Sequence, residues 1–195
     1  MNKKIILVAG YSAAGKTTFA ARLSKELSIP YLSKDQVKIA LNRSFPVNNR
    51  EDSKRLSAIA FDAMLFTTER FMEVCKPIIL EANFVMKENH NGLKEGEALR
   101  SLITQYGYQA LTYIFLGELP VLYERFAKRD VLPERGVANM MWGNFSYEDY
   151  LKGNMHLSEF NVGGKIIQID TTDFETANFD ENIKIAYRFM EENYE

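Results

Sequence analysis

Ile5-Ile6-Leu7-Val8-Ala9-Gly10-Tyr11-Ser12-Ala13-Ala14-Gly15-Lys16-Thr17-Thr18 is the stretch on which the fold turns. Its first five residues are an unbroken apolar run, the pattern of a parallel strand buried on both faces. From Thr17 to Leu27 the residues Phe19, Leu23 and Leu27 recur at four-residue spacing, which predicts an amphipathic helix. Between strand and helix lies G-x-x-x-x-G-K-T, a phosphate-binding loop. Gly10, Tyr11, Ser12, Ala13, Ala14 and Gly15 are expected to wrap backbone N–H groups around a β-phosphate. The helix N-terminus adds partial positive charge there. Lys16, expected to face solvent, would reach the β- and γ-phosphates, and the Thr17 hydroxyl would hold Mg²⁺, with Thr18 completing the nucleotide-binding stretch. The implied ligand is a nucleoside triphosphate, taken as ATP with Mg²⁺.

Composition narrows the remaining classes. A chain of 195 residues suits a single domain over 1–195 with a core of its own. The net charge of −2 gives no global attraction to nucleic acid, although a local basic groove would not show in that sum. Cys75 is the only cysteine, so an internal disulfide is excluded, and a reducing, cytoplasmic compartment fits. His90 and His156 alone cannot build a Cys/His zinc site. The first apolar run breaks into the phosphate loop, too short for a signal segment or a membrane span. Oligomeric state is not legible.

Beyond Leu27 the pattern alternates strand and helix. Ile29 to Leu32 reads as a second strand, with Ser33 and Gln36 as a capping box opening a helix to about Arg43. From Glu51 to Cys75 the residues Leu56, Ile59, Ala63, Phe66, Arg70 and Val74 mark a helical stripe. Pro77 ends it before a third strand, Ile78 to Ala82. A helix over 89–106, a strand over Leu111 to Leu116 and a helix from Pro120 to Arg129 follow. The stretch 130–145, with Pro133, Gly136 and Gly143, reads as an irregular surface loop, a small lid. A helix from Tyr147 to Phe160, a strand over Lys165 to Asp170 and a helix over Asp180 to Glu192 complete the chain. Five strands separated by helices predict a three-layer α/β domain on a five-stranded parallel sheet with right-handed crossovers.

Three groups of residues could carry chemistry. Asp35 lies just past the second strand, at the carboxyl edge where open α/β sheets place their sites. A carboxylate there could take the proton of an attacking hydroxyl, or simply favour the first turn of a helix. Glu81 ends the third strand after three aliphatic residues, placed to orient a metal's hydration shell or an acceptor, and Asn83 follows it. Arg125 and Arg129 are four residues apart on one helix face, and Arg135 follows within the loop. Arginine forks there would stabilise a transferring phosphoryl group, against the plainer reading of a solvated basic face. Trp142, Phe145, Tyr147 and Tyr150 read as a packing face, with an acceptor pocket as the alternative.

Taken together these motifs resemble the P-loop kinases of the polynucleotide-kinase type and their small relatives. Gly10 to Thr17 matches the first motif of that group, and Tyr31-Leu32-Ser33-Lys34-Asp35-x-x-Lys38 resembles the second. There the resemblance implies an acidic base at Asp35 and a basic acceptor-side residue at Lys38. Ile78 to Asn83 is similar to the strand written aliphatic-aliphatic-x-Asp-x-Asn, with Glu81 acceptor-facing or metal-facing in place of Asp. Glu124-Arg125-x-x-x-Arg129 with Glu134-Arg135-Gly136 resembles the lid, and Gln168 to Thr171 the final strand near the adenine. The resemblance implies a P-loop NTPase fold and an ATP- and Mg²⁺-dependent transfer of the γ-phosphate to a hydroxyl. Lys38 stands where polynucleotide kinases tend to carry Arg, and Glu81 where they carry Asp, which favours a small-molecule acceptor over a 5′-hydroxyl polynucleotide. A nucleotide-binding regulatory module without turnover is the reading from another class.

Overall fold

The computed structural model describes residues 3–86, 88, 94–130, 137–139 and 145–192. In chain order the elements are β1 (Lys4–Gly10), α1 (Lys16–Leu27), β2 (Tyr31–Ser33), α2 (Lys34–Leu41), α3 (Arg50–Glu73), β3 (Ile78–Glu81) and α4 (Glu95–Tyr106). Then come β4 (Gln109–Leu116), α5 (Leu119–Asp130), α6 (Tyr147–Asn154), β5 (Lys165–Asp170) and α7 (Phe179–Glu191), with single 3-10 turns at Val137–Asn139 and Leu157–Glu159. All strand pairs are parallel, in the order β2-β3-β1-β4-β5.

All seven residues of β1 are buried, and their alternation builds the layers. Ile6 and Val8 join Phe19 and Leu23 of α1, Tyr113 and Phe115 of β4, and Ile183 of α7. Ile5, Leu7 and Ala9 join Phe61 and Met64 of α3 with Leu99 and Ile103 of α4. Each large side chain so enclosed contributes roughly 1.5–3 kcal/mol of transfer free energy, so the two cores clamp β1 from both sides. Among the described residues no helix is long and apolar enough to cross a membrane.

The structure revises four local expectations. Along α3 the buried residues are Ser53, Leu56, Ala60, Phe61, Met64, Thr68 and Met72, whereas Ile59, Phe66 and Val74 are exposed. The helix carries two apolar stripes at helical spacing, and only the one through Met64 meets the sheet. Ser33 stands at the N-cap of α2, but its side chain caps nothing. It still belongs to β2, opposite Glu81, and its hydroxyl is buried in the sheet rather than turned to the helix. That helix ends at Leu41, short of Arg43. Finally, α6 ends at Asn154, short of Phe160. The Asn154 side chain bonds back to Tyr150 O and forward to the phosphate loop, competing with helix propagation. The beginning of the helix expected over 89–106 and most of the expected lid, with Pro133, Gly136 and Gly143, lie outside the described residues.

Candidate active site

β1 leads into the phosphate loop through Gly10, whose φ is 113° and where a Cβ would stand 2.2 Å from Phe115 O. Only glycine lets the two backbones approach so closely. The Tyr11 N–H then donates to that same Phe115 O at 2.8 Å. Ala13 takes a left-handed conformation, φ 63°, and Gly15 follows with φ 86°. A Cβ on Gly15 would lie 2.8 Å from Cε1 of Phe174. Gly15 offers no side chain to cap α1, and the Phe19 N–H to Gly15 O bond, 3.1 Å, begins its ladder. The N–H groups ahead of Phe19 have no intrahelical acceptor, which is what a bound phosphate requires.

Lys16 does not face solvent. It is 6% exposed and its Nζ donates to Tyr11 O at 2.5 Å, folded back across the loop. One cleft is lined by Ser12 to Thr18 together with Asp35, Glu81, Asn83 and Arg129. The sheet register explains the gathering. Glu81 pairs with Val8 on one side and Ser33 on the other, so three strand ends deliver the loop, Glu81 and Asp35 to one edge.

Glu81 is 5% exposed, and its Oε2 is buried without a hydrogen-bond partner. Burial pushes its carboxyl above the usual carboxylate range; Lys16 opposes that, and the Asp35 charge adds to it. The Ser33 and Thr17 hydroxyls lie close enough to pull it down, although Ser33 Oγ falls short of a hydrogen bond. An orphaned carboxylate oxygen beside Thr17 fits a hydrated Mg²⁺ at this place, where a cation would supply the compensation that burial removes.

A family model for the AAA domain matches residues 5–140, a span that holds the loop, Asp35, Glu81 and Arg129. The chain belongs to the AAA domain family of P-loop NTPases. The solved structures it resembles share its three-layer fold, and several are kinases by name. A candidate kinase from Chloroflexus aurantiacus j-10-fl superposes with a TM-score of 0.83 at 23% identity, over 96% of this chain and 98% of that one. An unliganded sugar kinase from Janibacter sp. HTCC2649 gives 0.57 at 16% identity, over 96% and 94%. Shikimate kinase from Bacteroides thetaiotaomicron gives 0.55 at 11%, over 97% and 99%. No curated protein matches the sequence.

Other residues singled out in this P-loop NTPase are placed differently. Lys34 Nζ pairs with Glu95 Oε1 at 2.8 Å, both largely buried. Lys38 is 7% exposed and donates to Ser53 Oγ at 2.7 Å. Ser53 Oγ in turn donates to Ala138 O at 2.9 Å. Arg125 does not line the cleft. It donates to Thr171 O and, at 2.7 Å, to Thr172 O, with its guanidinium 4.1 Å over the Phe174 ring. Arg135, Trp142 and His90 lie outside the described residues. His156 pairs with Glu159 at the surface, 2.9 Å.

Sequence reading gave Asn83 a candidate hydrogen bond in the site but missed the partners that α6 brings to Ser12. Asn83 Nδ2 donates to Ser12 Oγ at 2.8 Å, the Ser12 N–H donates to Asn154 Oδ1 at 2.7 Å, and Tyr150 O–H donates to Ser12 O at 2.7 Å. Nothing local marks Tyr150 and Asn154 for this role, since they stand 138 and 142 residues away along the chain.

Proposed function

We propose that the protein is an ATP- and Mg²⁺-dependent phosphotransferase that moves the γ-phosphate of ATP to a hydroxyl of a small-molecule acceptor. The observation that carries this reading is the single cleft that holds the phosphate loop with Asp35, Glu81, Asn83 and Arg129. The loop amides and Lys16 hold the phosphates, Lys16 exchanging its Tyr11 carbonyl partner for phosphate oxygens. Thr17 and Glu81 would hold Mg²⁺, which neutralises phosphate charge when bound. Asp35 accepts the proton of the acceptor hydroxyl. The acceptor oxygen bonds to the γ-phosphorus, the bond to the β,γ-bridging oxygen breaks, ADP leaves, and Asp35 returns its proton to solvent. Arg129, on the cleft wall, offsets charge spreading over the equatorial oxygens.

Two features favour a small acceptor over a 5′-hydroxyl polynucleotide. A strand's phosphates need a basic groove. Here Lys34 and Lys38 are engaged inside the protein, with Glu95 and Ser53. The test is an ATP-consumption screen of nucleosides, sugars, antibiotics and 5′-hydroxyl oligonucleotides. One class should stimulate turnover, and Asp35→Asn should lower that turnover by roughly 10²–10⁴-fold while leaving nucleotide affinity in place. Tight ATP binding that no acceptor stimulates would instead support the regulatory module.

A further inference from the structure

Ser12 has each of its three polar groups taken up by a different distant side chain, and two of those side chains sit on α6. The Ser12 N–H goes to Asn154 and its C=O to Tyr150, while Asn154 Nδ2 closes the circuit by donating to Tyr150 O at 2.7 Å. Both residues are buried, Tyr150 at 1% exposure and Asn154 at 2%. The Tyr150 ring is wedged 5.4 Å from Phe126 and 5.5 Å from Tyr123 of α5, so its hydroxyl has little freedom. A capping box at Ser146 and Asp149 fixes the start of the same helix. Burial raises the Tyr150 phenol well above its ordinary value, so it remains an O–H donor throughout the neutral range.

The next residue, Ala13, has φ 63°, a conformation that L-residues avoid at a cost of about 1–2 kcal/mol and that only achiral glycine takes freely. Such strain persists only where the surroundings over-determine the backbone. Here they do so on both sides of Ala13: Ser12 before it is held at N–H and C=O, and Gly15, two residues on, is closed in by Phe174.

We infer that Tyr150 and Asn154 are positioning residues for nucleotide binding, α6 holding the phosphate loop in its left-handed cradle before any phosphate arrives. The inference rests on the nucleotide-binding part of the function proposed above. Neither residue lines the cleft; they remove the need to order the loop at the moment of binding. By linkage, nucleotide stabilises α6 as much as α6 strengthens nucleotide binding.

The experiment compares wild type, Tyr150→Phe, Asn154→Ala and the control Tyr113→Phe. Tyr113 also donates its hydroxyl to a backbone carbonyl, Asn182 O at 2.6 Å, but away from the loop. Affinity for a non-hydrolysable ATP analogue with Mg²⁺ is read by calorimetry, and amide exchange of residues 10–16 by mass spectrometry with and without that analogue. Tyr150→Phe keeps the ring, and should weaken binding about fivefold, the worth of one neutral hydrogen bond. Asn154→Ala, which breaks two bonds, should weaken it by about tenfold or more. In both, exchange in the loop should rise in the free protein and return to the wild-type level when the analogue saturates. Tyr113→Phe should lower Tm and move neither quantity. Unchanged affinity and loop exchange in Tyr150→Phe overturn the proposal, even if Asn154→Ala does not fold. If wild type itself fails to bind the analogue, the proposed function falls, and exchange in the free proteins alone then decides whether α6 holds the loop.

Discussion

Lys16 and Lys38 are both more than nine-tenths buried, and their partners differ in kind. Lys16 donates to Tyr11 O, a carbonyl of the very loop that would receive a phosphate, so a ligand can replace that partner. Lys38 donates to Ser53, which passes the contact on to Ala138 O, and so fastens α2 to α3 and to the turn at Val137–Asn139. Asn139 Nδ2 adds a bond to Asp35 O at 3.1 Å from the same turn. Under the proposed function a phosphate on the donor side would take the place of the Lys16 partner, whereas on the acceptor side the Lys38 bond joins elements of the fold. Burial alone does not tell the two apart, but the identity of the partner does.

The comparison breaks first at Lys16→Ala. Losing a cation aimed at the β- and γ-oxygens should cut turnover by about 10²–10³-fold and weaken binding of the ATP analogue. Wild-type affinity in that variant would remove the donor side of the contrast. On the acceptor side, Ser53→Ala takes a buried hydroxyl away from both Lys38 Nζ and Ala138 O. Chemical denaturation should show a loss of about 1–3 kcal/mol with analogue affinity unchanged. If instead affinity for an identified acceptor falls and stability does not, Lys38 serves the ligand, as the resemblance implied.

Glu81 sharpens the picture through pH. Its carboxyl lies above its ordinary value of 4.5 in the folded protein, mainly because it is desolvated. The folded state therefore binds more protons than the unfolded chain, and this group's contribution is fully present below pH 4.5 and lost as pH rises through the elevated folded value. Glu81→Gln should flatten that decline in ligand-free thermal scans and raise Tm at neutral pH, while abolishing the response of Tm to Mg²⁺ with nucleotide. A variant that melts lower than wild type at every pH would show that its attraction to Lys16 outweighs its burial. The smallest effect is expected at Ala13→Gly, where relief of the left-handed strain is largely offset by the extra freedom of glycine in the unfolded chain. A gain of about half a kcal/mol or less should appear in denaturant titrations. A clear loss would mean that the Ala13 conformation is stabilised by contacts of its methyl group.

Much of the donor half was legible because its information is local. A strand, a loop and a helix that follow one another within Ile5 to Leu27 place the loop and Thr17 at the start of a helix by local order alone, although the burial of Lys16 and the close approach of Gly10 to Phe115 O come from the rest of the fold. The five-strand parallel architecture followed from the alternation of patterns, and β5 lies over the residues read for it, Lys165–Asp170. Glu81 and Asp35 were found from their positions at strand ends, and the sheet register brought them to one edge.

The remainder was decided by tertiary structure, for a common physical reason: side chains choose among partners that composition and spacing cannot rank. The α3 helix could have buried Ile59 and Phe66, and only the placement of the sheet made Phe61 and Met64 the inner face. Ser33 had a helix N-terminus within reach and lies instead in the sheet beside Glu81. Arg125, read from sequence on the same helix face as Arg129, reaches the carbonyls of Thr171 and Thr172, while Arg129, the arginine the sequence favoured, lines the cleft. The partners of Ser12 come from α6, far along the chain, where no periodicity or motif could announce them. The sequence by itself determined that a phosphate loop sits on a parallel sheet, because that signal is written in consecutive residues. Which partner each lysine takes, which arginine lines the cleft and which side chains bind Ser12 were settled only when folding brought distant polar groups within hydrogen-bonding distance.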